Sequence, residues 1–182
     1  DARLPDALLT EIFSTVGIGT MVHANPYARI RQARPSDVPG IVRLTKAGVK
    51  EETLRRRSKA EVERAIDEYF VYEIDETLVG CCRLSPVDGH PDASELMSVY
   101  VQRAYGGRGI GRALVEGAVE AARDRGNAKV FALSTQTTPF FVEVCGFSEI
   151  AREEAPTALR SRTQQDGRAS KVVVIEFTDT VT

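Results

Sequence analysis

The sequence predicts an α+β fold, a mixed α/β chain, on three observations. Ile110–Asp124 repeats apolar residues at helical spacing (Leu114, Val115, Ala118, Ala121, Ala122). Phe70–Ile74 and Thr77–Leu84 flank the turn residues Asp75-Glu76 as an antiparallel hairpin does. That helix also stands between two further strands, Glu95–Val101 and Lys129–Ser134. A chain of 182 residues supplies one well-cored domain and little for a second.

The elements follow in order. Residues 1–25 carry a short apolar helix pattern (Leu4, Leu8, Leu9, Ile12, Phe13), then the glycine-punctuated Gly17–Val22, and break at Asn25-Pro26. This leading segment is too small to hold a core. Ala28–Arg34 reads as a strand stopped at Pro35, and Ser36 or Asp37 is placed to cap a helix through Val38, Ile41, Val42 and Leu44. Ser58-Lys59-Ala60-Glu61 has capping-box spacing and opens a second helix. Ser85–Ala93, rich in Pro, Gly and Asp, predicts a loop; Pro139–Val144 a short helix; Lys171–Phe177 a closing strand.

Composition narrows the function. A net charge of -2 argues against bulk nucleic-acid or anionic-membrane binding, both of which draw on a basic excess. The three cysteines, Cys81, Cys82 and Cys145, form no disulfide framework and read as buried reduced thiols in a cytoplasmic protein. His23 and His90 have no partners at metal-ligand spacing, so no metal is expected. No apolar run reaches transmembrane length.

The informative stretch is Gly106-Gly107-Arg108-Gly109-Ile110-Gly111, set between a strand and a helix. Glycines let backbone N–H groups approach an anion, the helix dipole points positive into the same place, and Arg108 and Arg112 add charge. A tight turn that binds nothing is the plain alternative, but four glycines in six residues beside two arginines favour a pyrophosphate guest. A Rossmann turn would follow the first strand of a βαβ unit, whereas this one follows at least three strands. No Gly-Lys-Ser/Thr follows it, which excludes a Walker loop.

Val101 through Leu114 resembles the acetyl-coenzyme A motif Q/R-x-x-G-x-G/A of the GNAT N-acetyltransferases. Gly109 and Gly111 fit the pattern, and Gly106 stands where Gln or Arg is usual. The resemblance covers residues 28–178, with the acetyltransferase domain taken as 26–182. It implies a central mixed, mostly antiparallel sheet flanked by helices, acetyl-CoA as cosubstrate, and cofactor contacts from Ser98, Val99, Val101, Gly106, Gly107, Arg108, Gly109, Ile110, Gly111 and Arg112.

Arg56-Arg57-Ser58, Phe131–Thr135 and Asp166–Lys171 further resemble the acetyltransferase domains of the N-acetylglutamate synthases. Residues 3–22 resemble the C-terminal edge of an acetylglutamate kinase domain, so residues 1–25 are expected to be the remnant of a preceding kinase-like domain. The resemblance implies transfer of acetyl from acetyl-CoA to the α-amine of L-glutamate, as in arginine biosynthesis, with Arg57, Leu133, Arg168 and Ser170 on the substrate. Three arginines, Arg55 to Arg57, at a helix start would welcome a carboxylate that relieves their repulsion from the dipole. A small-molecule substrate, a kinase-like domain in the full-length protein and room for a homo-oligomer complete the expected partners, without nucleic acid or membrane.

Direct attack of an amine on a thioester requires a base, an oxyanion donor and an acid, but no cysteine nucleophile. Glu95 is the candidate base, backbone N–H groups near Ser98 and Val99 the donors, and Ser134 the candidate acid. Many family members use a tyrosine acid near the short helix, where this sequence has Phe140 and Phe141. Two alternatives stay open: transfer to another small amine, and a non-catalytic domain that senses acetyl-CoA or glutamate.

Overall fold

The computed structural model describes residues 28–165 and 170–177. Among these residues seven strands form one sheet: β1 Ala28–Gln32, β2 Tyr69–Ile74, β3 Thr77–Val87, β4 His90–Val101, β5 Lys129–Ser134, β6 Ser148–Ile150 and β7 Lys171–Glu176. Their order across the sheet is β1-β2-β3-β4-β5-β7-β6. The α-helices are α1 Val38–Lys50, α2 Lys59–Arg64, α3 Ile110–Asp124 and α4 Thr157–Gln165, and the short helix expected at Pro139–Val144 is a π-helical turn over Phe140–Val144. This is the expected α+β architecture. The leading segment 1–25 lies outside the described residues, as does Arg168.

Local chemistry sets these elements. The β2–β3 turn places Asp75 and Glu76 at φ 47° and 61°, the left-handed pair whose twist matches a two-residue hairpin. Ser58 closes its capping box on α2: the Glu61 N–H donates to Ser58 Oγ at 3.2 Å, and the Ser58 N–H donates to the Glu61 carboxylate at 2.7 Å. Asp37 does not cap α1 with its side chain. Its carboxylate instead accepts from the Arg34 N–H at 2.7 Å and from Arg31 at 2.7 Å, while Arg31 also reaches Glu73. The start of α1 is thereby tied to β1 and β2.

One sequence expectation fails here. Ser85–Ala93 is not a loop: β3 runs to Val87, β4 starts at His90, and only Asp88 and Gly89 turn the chain. Gly89 supplies the positive φ of 77° that the turn requires. Cross-strand pairing absorbs Pro86, whose ring is tolerated beside the register shift at Pro86/Val87.

The sheet carries helices on both faces. Side chains alternate along a strand, so Phe70, Cys82, Leu96 and Val130 face α3, where Leu114, Val115 and Ala118 are buried. Tyr69, Val71 and Cys81 turn the opposite way, to α1 and α2. Phe131, Val172 and Val174 face that second side too, where Leu159 of α4 is fully buried.

Every neighbouring strand pair is antiparallel except β4 with β5. That parallel pairing runs from Ala93–Lys129 to Leu96–Ala132 and stops. Beyond it Leu133 and Ser134 pair with Val172 and Lys171 of β7, while β4 continues along β3. The two strands part, and a wedge opens between their C-terminal ends.

Candidate active site

The wedge holds two continuous spaces. One, of about 120 Å³, is lined by Arg57, Glu95, Ser134, Arg162 and Ser170 among others. The second, of about 240 Å³, is lined by Val99, Val101, Gly111 and Phe140 among others. Met97, Ser98, Leu133 and Thr137 border both. The structure therefore brings Arg57, Glu95, Ser98, Leu133, Ser134 and Ser170, scattered over more than a hundred positions of sequence, around one cleft. Arg168 lies outside the described residues.

Glu95 sits just before the strands part, paired with Ser85 on one side and Phe131 on the other. It is 4% exposed. On β4 it alternates with Leu96, which faces α3, so its carboxylate projects to the side of α1, α2 and α4. There Arg162 of α4 donates to Glu95 Oε2. Burial pushes the Glu95 carboxyl above the usual carboxylate range, while Arg162, Arg57 and Arg83 pull it back. Neither α4 nor Arg162 was legible in the sequence.

Ser134 ends β5, buried. Its Oγ accepts from the Thr137 N–H at 3.1 Å and lies 3.0 Å from Thr137 Oγ1. These two contacts use two of the three hydrogen-bonding positions of the hydroxyl, which orients it and leaves one position for a ligand.

Arg57 precedes α2 and reaches into the cleft. Its Nη1 lies 3.8 Å from Glu61, and its Nη2 makes a long contact of 3.7 Å to Met97 Sδ. Its Nε is buried and has no hydrogen-bond partner among the described residues. A guanidinium with an orphaned buried donor is primed for an acceptor that arrives with a ligand. Ser170 lines the same space, and its carbonyl accepts from Arg152 at 3.4 Å.

The bulge in β4 makes the donor side. Met97 pairs with Arg83 and Tyr100 with Cys81, so Ser98 and Val99 together oppose Cys82. Ser98 takes φ 55°, a left-handed conformation that costs a non-glycine residue about 1 kcal/mol or more. The bulge bends β4 away from β5 and leaves the N–H groups of its wedge side without β5 carbonyls. Behind the bulge, the Cys81 thiol lies 3.8 Å from the Ser98 carbonyl.

The glycine turn stands where the second space meets α3. Gly107 and Gly109 take φ 75° and 76°, and Gly109 is the residue before the helix. In α3 the Ala113 N–H is the donor to the Gly109 carbonyl, so the amides of Ile110, Gly111 and Arg112 precede the helical ladder. A Cβ at Gly111 would meet the Phe140 ring at 3.3 Å, so the ring would have to shift by a few tenths of an ångström. Arg108 is exposed and lies over the Tyr105 ring at 5.3 Å. Arg112 is engaged by Glu116 at 2.7 Å, and the Ile110 side chain is buried in the core, so Ile110 offers only its backbone. These features suit a diphosphate followed by a thin chain along the groove.

The cysteines have no part in this cleft. Cys81 and Cys82 are fully buried; burial pushes Cys81 up to about 12 and Cys82 higher. Cys145 is pushed up to about 11 by burial first. Among the described residues no group of three His, Cys, Asp or Glu could hold a metal ion. No helix among them is long and apolar enough to cross a membrane.

Comparison with known proteins agrees with this geometry. The model of the acetyltransferase (GNAT) family matches residues 39–147. The amino-acid acetyltransferase of Neisseria meningitidis is 32% identical over 168 residues, spanning 92% of this chain and 38% of that protein. The amino-acid acetyltransferase of Shewanella oneidensis is 34% identical over 137 residues, spanning 75% and 31%. This chain thus spans well under half the length of these curated relatives. The solved N-acetylglutamate synthase of Neisseria gonorrhoeae, complexed with coenzyme A and N-acetyl-glutamate, superposes with a TM-score of 0.80 at 32% identity, covering 94% of this chain and 40% of that one. A Mycobacterium tuberculosis protein solved with CoA and a second ligand gives a TM-score of 0.72 at 26% identity, covering 82% of this chain and 99% of that one.

Proposed function

Because this chain belongs to the GNAT acetyltransferase family, we propose that it moves the acetyl group of acetyl-CoA to the α-amine of L-glutamate. The observation that carries the choice of acceptor is the orphaned, buried Nε of Arg57 beside Glu95 in one cleft. A carboxylate satisfies that donor and an amine does not. The relatives that are amino-acid acetyltransferases, and the synthase bound to N-acetyl-glutamate, support the same acceptor.

In this reading the diphosphate of acetyl-CoA rests on the amides of Gly107 to Arg112, and the pantetheine chain runs along Val99, Val101 and Phe140. The thioester carbonyl faces the freed N–H groups of the Ser98–Val99 bulge, which stabilise the oxyanion as it forms. Arg57, Leu133 and Ser170, with Arg168, hold the acceptor. Glu95 takes the proton from its ammonium, directly or through water, and the amine lone pair attacks. Ser134, held by Thr137, returns a proton to the departing coenzyme A thiolate. A kinase-like domain in the full-length protein, and arginine biosynthesis in the cytoplasm as the setting, belong to the same proposal; the matched relatives run well beyond the span they share with this chain, which is compatible with a further domain.

Thiol release from acetyl-CoA, measured over a panel of amino acids and amines, tests the proposal. Turnover with L-glutamate is expected, and Arg57→Ala is expected to raise the glutamate KM about ten-fold or more with a smaller effect on kcat. Turnover only with other amines, or coenzyme binding without turnover, would overturn it.

A further inference from the structure

We propose that Arg162 is a latch on the candidate base: α4 holds its guanidinium on the Glu95 carboxylate until the α-carboxylate of the acceptor draws it away. The proposal rests on the reading of this cleft as an acetyltransferase site for an amino acid.

Glu95 has three cationic neighbours from three elements, Arg162 on α4, Arg57 ahead of α2 and Arg83 on β3. Only two of them are otherwise engaged at the carboxylate's expense. Arg83 donates to Glu68 at 2.8 Å and to Ser85 at 3.4 Å. Arg57 contacts Glu61 and Met97. Arg162 alone donates directly to Glu95, and among the described ion pairs it has no other acidic partner. The two ends of that pair differ in freedom. The Glu95 side chain is 6% exposed and belongs to the central strand, whereas the Arg162 side chain is 35% exposed and lines the cleft. The arginine can swing without unfolding anything; the glutamate cannot.

The contact is also a chemical obstacle. A carboxylate paired with a guanidinium is stabilised in its charged form and is a weak base. Remove the guanidinium, and burial acts with less opposition to raise the proton affinity of Glu95. An α-amino acid suits this exchange by construction, since its ammonium and carboxylate share one carbon. The ammonium approaching Glu95 delivers a carboxylate to the adjacent Arg162. Arg162 passes from one carboxylate to the other with no proton moved. Glu95 then accepts a proton from the ammonium: an N–H bond breaks, an O–H bond forms, and the freed lone pair attacks the thioester. An amine lacking the α-carboxylate leaves the latch shut, so the same contact enforces specificity.

The experiment compares wild type, Arg162→Gln and Arg162→Lys with acetyl-CoA and either L-glutamate or 4-aminobutyrate, which is glutamate without its α-carboxylate. In wild type the acidic limb of the kcat/KM profile, set by the free enzyme, should fall at lower pH than that of kcat. In Arg162→Gln the two limbs should converge at the higher pH. The preference for glutamate over 4-aminobutyrate should drop about ten-fold or more, with Arg162→Lys between. Carbon-13 NMR titration of Glu95 without substrate is an independent readout, and Arg162→Gln should titrate at higher pH than wild type. An unchanged Glu95 titration, or an unchanged glutamate preference in Arg162→Gln, would overturn the latch. Absence of glutamate turnover in wild type would overturn the acceptor assignment instead, leaving the NMR titration to judge the contact on Glu95.

Discussion

Glu95 combines two properties that oppose each other in an ordinary protein: deep burial and a carboxyl group. Burial raises its proton affinity, so above the usual carboxylate range the folded chain holds a proton that the unfolded chain has released. Stability therefore falls as pH rises from the unfolded pKa through the folded one. Glu95→Gln removes that liability. Thermal melts should show this variant gaining on wild type as pH is raised through the carboxylate range, while kcat falls about a hundred-fold or more. A variant that loses stability and activity together would assign Glu95 to the core rather than to chemistry. Asp37 shows the opposite sign. The Arg31 guanidinium holds it below its usual range, so its contribution is present at neutral pH and lost as pH falls through the folded value. Asp37→Asn should cost about 2 kcal/mol near pH 7, and the gap to wild type should close in acid.

At the scale of elements, signals confined to one segment were legible in the sequence and those that need a neighbour were not. Periodicity alone gives α3 as Ile110–Asp124 and β5 as Lys129–Ser134, the bounds the structure has. The Ser85–Ala93 stretch misleads because Pro, Gly and Asp mark turns locally, while ladder pairing with β3 and β5 decides the outcome. Helix α4 is polar along most of its length and buries chiefly Leu159, so it carries no amphipathic stripe to detect. Its Arg162 is invisible for the same reason. The glycines of the cradle stand out in the sequence as a group, but the packing at Gly111 is tertiary. A methyl there presses on Phe140, which lines the groove. Gly111→Ala should raise the KM for acetyl-CoA about ten-fold with little change in that for glutamate. An equal rise for both would mean a general disturbance of the wedge.

For the molecule as a whole, the parting of β4 from β5 decides how the two reactants meet. A gap between parallel strands reaches through a sheet from one face to the other, and its two bordering spaces share Met97, Ser98, Leu133 and Thr137. On the proposed reading each reactant has a space of its own, so both are bound together when the amine attacks. Cys81 and Cys82 are fully buried, with burial pushing both thiols up, and Cys145, half-buried, lines neither space. Initial rates measured against both reactants should accordingly give intersecting double-reciprocal lines. Parallel lines would reveal an acetylated enzyme intermediate and overturn direct attack by the amine.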